Sequence, residues 1–201
     1  MGIAALIISV VGTIVGVVVF TSVVATSISN AVGGGETKVV QPSGAASANA
    51  APAANGGAKA GTRENPNPIG SVLESKDWRI VVNSVKLGAT DAVLAADTYN
   101  KPPAAGSEYI LVNYSATYLG SDANGQMPAF ISVEYVTPDG KTINGLDKLV
   151  MAPEPIDTTS TLYKGATATG NKAIEVPSAT AAQGVLAIRP GFADKVFVAV
   201  K

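Results

Sequence analysis

Gly106-Ser107-Glu108-Tyr109-Ile110-Leu111-Val112-Asn113-Tyr114, continued by Ser115-Ala116-Thr117-Tyr118, alternates in character from Ile110 onward. Ile110, Val112, Tyr114, Ala116 and Tyr118 share one side of an extended chain, with Asn113, Ser115 and Thr117 on the other. Side chains of a strand point alternately to the two faces of its sheet, so this is a strand with one face on a core and one in water. The same period recurs on either side. Trp78, Ile80 and Val82 alternate with Arg79 and Asn83, then the apolar set moves to Val85 and Leu87. That change of phase predicts a bulge near Asn83-Ser84. Ile131, Val133 and Tyr135 lead to a turn at Thr137-Pro138-Asp139-Gly140, and Ile174-Val176, Leu186-Ile188 and Val196-Val198-Val200 follow. Short strands broken by Gly and Pro, with no amphipathic helix of ordinary length after residue 30, predict an all-β fold. The expected architecture is an antiparallel immunoglobulin-like β-sandwich of about seven strands over residues 69–201.

Upstream of that domain the composition changes twice. Ile3 to Ile28 reads IAALIISVVGTIVGVVVFTSVVATSI, without a charge, an amide side chain or a proline. As a helix, about 26 residues would reach about 39 Å, enough for a hydrocarbon core of about 30 Å. Residues 1–32 are therefore expected to form a single transmembrane helix. The run is longer than the apolar region of a signal peptide and no basic residue precedes it, which favours an uncleaved anchor over a cleaved leader. Ala5, Ser9, Gly12 and Gly16 form one stripe of small residues, with Gly12 and Gly16 in GxxxG spacing, and are the candidate helix-packing positions. Residues 33–68, rich in Gly, Ala, Ser, Asn and Pro, lack apolar periodicity and read as a flexible linker. Lys38 and Lys59 follow the apolar run, so a count of positive charges favours an inside C-terminus. The linker composition instead suits an exported domain, and the C-terminal domain is expected on the extracytoplasmic side.

Composition removes several classes of chemistry. Basic and acidic residues nearly balance, 14 against 15, which does not suit a general nucleic-acid binder. The chain has no cysteine and no histidine. Disulfides, thiolate catalysis and imidazole general-base catalysis are thereby excluded, and a serine nucleophile would lack its usual base. No Walker loop, no GxGxxG and no carboxylate pair with glycosidase-like spacing is present. The chain is expected to be non-enzymatic and to need no cofactor or metal.

Gly70 and Val72, Trp78-Arg79-Ile80-Val81-Val82-Asn83-Ser84-Val85, the glycine-led strand from Gly106 to Tyr114, Tyr135 with Pro138-Asp139-Gly140, Leu162-Tyr163-Lys164-Gly165, Gly170 and Glu175-Val176-Pro177 occur in that order. Over about residues 62–201 this resembles the DUF4352-type, telokin-like immunoglobulin-fold domains of exported Gram-positive and actinobacterial envelope proteins. The resemblance implies an extracytoplasmic sandwich and no shared catalytic residues. Many members of that family carry a lipidated cysteine, whereas this chain resembles those with a membrane helix.

Two irregular stretches are the candidate partner-docking loops. Gly88–Gly106 is long for a sandwich connection and carries Asp91, Asp97, Tyr99, Asn100 and Lys101, then Pro102-Pro103. Asp91 and Asp97 lack the dense alternating acids of a calcium loop and read as solvated carboxylates. Leu149–Leu162 carries Met151, Pro153, Pro155 and Ile156, which suit either a docking edge or an edge strand blunted by proline. The expected function is a membrane-anchored extracytoplasmic interaction protein, an accessory subunit of a larger envelope complex. Its partners would be the lipid bilayer and membrane-protein subunits, a respiratory supercomplex being one candidate, and not nucleic acid. The alternative is an extracytoplasmic module that binds a lipid, a glycan or a small molecule.

Overall fold

The computed structural model describes residues 35–41, 60–146, 148 and 150–201. The apolar run and its candidate packing residues Ala5, Ser9, Gly12 and Gly16 lie outside the described residues. No helix among those described is long and apolar enough to cross a membrane.

The described residues form an antiparallel sandwich of two sheets. Its strands are β1 (Lys38–Val40), β2 (Val72–Glu74), β3 (Trp78–Lys86), β4 (Ser107–Tyr118), β5 (Ser132–Val136), β6 (Thr142–Ile143), β7 (Thr167–Pro177), β8 (Val185–Arg189) and β9 (Val196–Ala199). One sheet has the order β1-β2-β3-β4-β7 and the other the order β6-β5-β8-β9. Among the described residues a single short α-helix, α1 (Thr90–Ala96), lies between β3 and β4.

Between the sheets sits the core predicted by the alternation. Ile110, Val112, Tyr114, Ala116 and Tyr118 of β4 pack with Val133 and Tyr135 of β5 and Leu186 and Ile188 of β8. The bulge falls where the change of phase puts it. Val82 pairs with Tyr114, but Ser84 pairs with Asn113, so Asn83 is the extra residue. That step keeps Trp78, Ile80 and Val82 on the core before it and brings Val85 onto the core after it. Trp78 and Tyr118, paired across β3 and β4, meet as tilted rings with centroids 5.2 Å apart and close one end of the sandwich.

The reading of residues 33–68 as a linker needs correction. Thr37 and Val39 are buried, and Lys38–Val40 pairs with Glu74–Val72 as the edge strand β1. Thr37 Oγ1 donates to the Asp194 carbonyl at 2.8 Å, and the Asp194 N–H donates to the Gly35 carbonyl at 3.1 Å. Asn67 is also buried and bridges Val198 in the other sheet. A run as short as Thr37-Lys38-Val39-Val40 shows no period in a composition averaged over 36 positions. Burial of Val39 and Thr37 and three residue pairs with β2 still fix it. The domain therefore begins by Gly35, and residues 42–59 join two parts of the same fold.

Candidate functional site

In β4 the outer face of the larger sheet changes character halfway along. Asn113, Ser115 and Thr117 are half-buried, but Tyr109 and Leu111 are buried. They are covered by Val93 of α1, by Ala89 and by Ala152. So the two stretches singled out as candidate loops, Gly88–Gly106 and Leu149–Leu162, meet over the same patch of sheet. Sequence reading treats the first as loop throughout; seven of its residues form α1 because Val93 has this apolar patch to cover.

Asn100 holds the two stretches together. Its Nδ2 donates to the Val93 carbonyl at 2.7 Å and the Met151 carbonyl at 2.8 Å. Its Oδ1 accepts the Met151 N–H at 2.9 Å. Asn171 in β7 does the same further along, donating to the Pro153 carbonyl at 2.7 Å. The 153–156 backbone then runs beside β7, with a parallel bridge from Pro155 to Asn171. Gly170 permits this approach, because a Cβ there would sit about 2.5 Å from the Ile156 backbone.

Between this β7 edge and the β5–β6 edge of the other sheet lies a groove of about 470 Å³. Phe130, Leu146, Met151, Ile156 and Tyr114 supply its apolar wall. Phe130 is 59% exposed, Leu146 74% and Met151 50%. Lys172 crosses the groove floor from β7. Its ammonium donates to the carbonyls of Val133 at 2.7 Å and Asn144 at 3.0 Å. β6 is only two residues long and stops short of Val133, so this ammonium covers a stretch of β5 edge that no strand among the described residues pairs. Burial lowers the Lys172 pKa, and the nearby Glu134 carboxylate opposes that shift. Burial also pushes the Tyr114 hydroxyl up to about 12. Glu134 itself is held below its usual range; burial works the other way, but the Lys195 hydrogen bond at 2.8 Å and its charge prevail.

The predicted site residues divide. Met151 lines the groove, and Ile156 packs its side chain on the core beside it. Asp91 stands exposed in the first turn of α1, and Asp97 closes a turn by accepting the Tyr99 N–H at 2.8 Å. These acids sit at opposite ends of α1, and no cluster of three potential metal-binding side chains occurs among the described residues. Tyr99 is 88% exposed beyond α1 and does not line the groove. Sequence reading noted Asn100 in the first loop without giving it a role, and missed Lys172 and Phe130. Lys172 had a signal: it stands two positions before Ile174 and four before Val176, on the core phase of β7, where an ion is out of place. Asn100 and Phe130 carry none, since their roles depend on contacts distant in sequence.

No known protein family and no curated protein matches this chain. Two solved structures are similar in part. One is a conserved hypothetical protein from Bacillus anthracis, 13% identical, with a TM-score of 0.41, covering 65% of this chain and 93% of its own. The other is an uncharacterized β-sandwich protein from Clostridium difficile 630, 14% identical, with a TM-score of 0.41, covering 68% and 95%.

Proposed function

We propose that this chain is a non-catalytic, single-pass membrane protein with an extracytoplasmic immunoglobulin-like domain that serves as an accessory subunit of a larger membrane or envelope complex. The groove carries the reading. Phe130, Leu146 and Met151 stand exposed together around one concavity, whereas other exposed large apolar side chains, such as Val40, Tyr99 and Tyr163, do not line it. Exposed apolar side chains gathered at one place mark surfaces that another molecule covers. The uncharged run Ile3–Ile28 supports the anchor, and the resemblance to DUF4352-type domains supports the extracytoplasmic location.

Extraction of native membranes in mild detergent, followed by native electrophoresis, tests this. The chain should migrate with a larger complex. The double variant Leu146→Lys, Met151→Lys should run alone while keeping its melting temperature, since both side chains are at least half exposed. A wild-type chain that runs alone would overturn the subunit reading. Lys172 favours a second reading, a module for a small amphiphile, because a partly buried ammonium beside an apolar wall suits an anionic head with an apolar body.

A further inference from the structure

Phe130 and Phe192 meet as tilted rings with centroids 5.4 Å apart, yet they remain 59% and 79% exposed. Met127, three residues before Phe130, is 43% exposed. Phe192 sits in the short connection between β8 and β9, just after Pro190-Gly191. The pair flanks a hollow of about 250 Å³ whose wall includes Gly35, where the described chain enters the fold. The Asp194 N–H bonded to the Gly35 carbonyl fixes that point two residues from Phe192 in the same connection.

The position of Gly35 in the sequence gives this pair a partner. Only residues 29–34 separate Gly35 from the apolar run that ends at Ile28. Seven extended peptide steps span at most about 25 Å. A run of Ile3–Ile28 through a bilayer would hold Gly35, in the wall of the hollow that the pair flanks, within that distance of the hydrocarbon boundary. We infer that the Phe130–Phe192 face lies in the lipid headgroup layer of the membrane that carries the anchor. This rests on the membrane-anchor reading above and adds an orientation to it.

The chemistry fits a lipid surface. Aromatic rings partition favourably into the boundary between headgroups and acyl chains. Two rings alone would bind a free domain weakly, but a tether of six residues supplies a high effective concentration. Lys76 and Asp77 both line the hollow, so their charges offset and insertion should depend little on anionic lipid. The orientation also places the rest of the domain. β4 runs twelve residues from Ser107, near α1, to Tyr118, against Trp78 in the wall of the hollow. At about 3.4 Å per residue that is about 40 Å, and it carries α1 and Tyr99 away from the bilayer.

Depth-dependent quenching by lipids brominated on their acyl chains tests the inference on the full chain in phosphatidylcholine vesicles. Single variants Phe192→Trp, Tyr99→Trp and Phe20→Trp are compared with the parent, whose lone tryptophan, Trp78, is 2% exposed. Phe192→Trp and Phe20→Trp should each lose most of their added emission, and Tyr99→Trp none. Quenching of Phe20→Trp without Phe192→Trp would overturn the inference and leave the anchor standing. A blue-shifted but unquenched Phe192→Trp would overturn it too, and would show that protein covers the pair. Equal quenching of Tyr99→Trp and Phe192→Trp would also overturn it, because the domain would then have no preferred face. Failure of Phe20→Trp to quench would overturn the anchor and the inference with it.

Discussion

Val39→Ala measures whether β1 belongs to the domain. Val39 is 2% exposed, packed in the main core from an edge strand, whereas its neighbour Val40 is 43% exposed. Truncating a buried valine to alanine removes two methyl groups, about 1.6 kcal/mol of transfer free energy at about 0.8 kcal/mol per group. The void adds to this, but an edge strand held by one neighbour can settle inward and recover part of it. The expected loss is about 1.5–2.5 kcal/mol. For a domain of this size each kcal/mol lowers the melting temperature by about 2–4 °C, so a fall of roughly 3–10 °C is expected. Val40→Ala, matched in chemistry and one residue away, should stay within about 0.5 kcal/mol. Urea and thermal melts of both full-length variants in the same detergent give the comparison. Equal and negligible effects would show that Lys38–Val40 does not dock on β2, and the domain boundary would return to the position suggested by composition.

Tyr114 should make stability fall in base. Its hydroxyl titrates near 12 when folded, against an unfolded value near 10, so its contribution is complete below pH 10 and is lost as pH rises through 12. About two units correspond to about 2–3 kcal/mol. Lys172 is lowered when folded and works the opposite way up to pH 10.5, so the cleanest window is pH 10.5–12. Tyr114→Phe should show a shallower decline there in urea melts, and an unchanged slope would refute the assignment. Asn100→Ala removes three hydrogen bonds, one to Val93 of α1 and two to Met151. It should cost about 1–3 kcal/mol and speed amide exchange in α1 while β4 stays protected; unchanged exchange in α1 would show that the clamp is idle.

How legible these features were depends on how far apart their causes lie in sequence. The alternation in Ile110–Tyr118 places each side chain on its face, because burial of one face is recorded every second residue. The bulge at Asn83 was legible for the same reason, as a slip of that record. Tyr109 and Leu111 broke the pattern, and only the structure supplies the reason: α1 and residues 150–152 fold over the second face there. β1 was hidden because three residues are too few to show a period, and its partners in β2 lie 32 to 36 positions on in the chain. The groove was half visible. Met151 and Ile156 stood out as apolar residues among prolines, but Asn100 and Phe130 acquire their roles from segments far away in sequence. Asp91, Asp97 and Tyr99 stood out by residue type alone, and the structure sets them on and beyond α1, outside the groove.

Where Gly35 joins the fold also governs how the domain bears load. A pull arriving through residues 29–34 does not first reach the three residue pairs of β1 with β2. It meets the bonds from Gly35 and Thr37 to Asp194, and Asp194 lies in the connection between β8 and β9 of the opposite sheet. Tension is thus divided between both layers at the point of entry, and neither layer can be peeled from its edge alone. Thr37→Ala would remove one of these two bonds and send more of the force into β1. A domain with that change should yield at lower force when stretched from its N-terminal side, even where its equilibrium stability changes little.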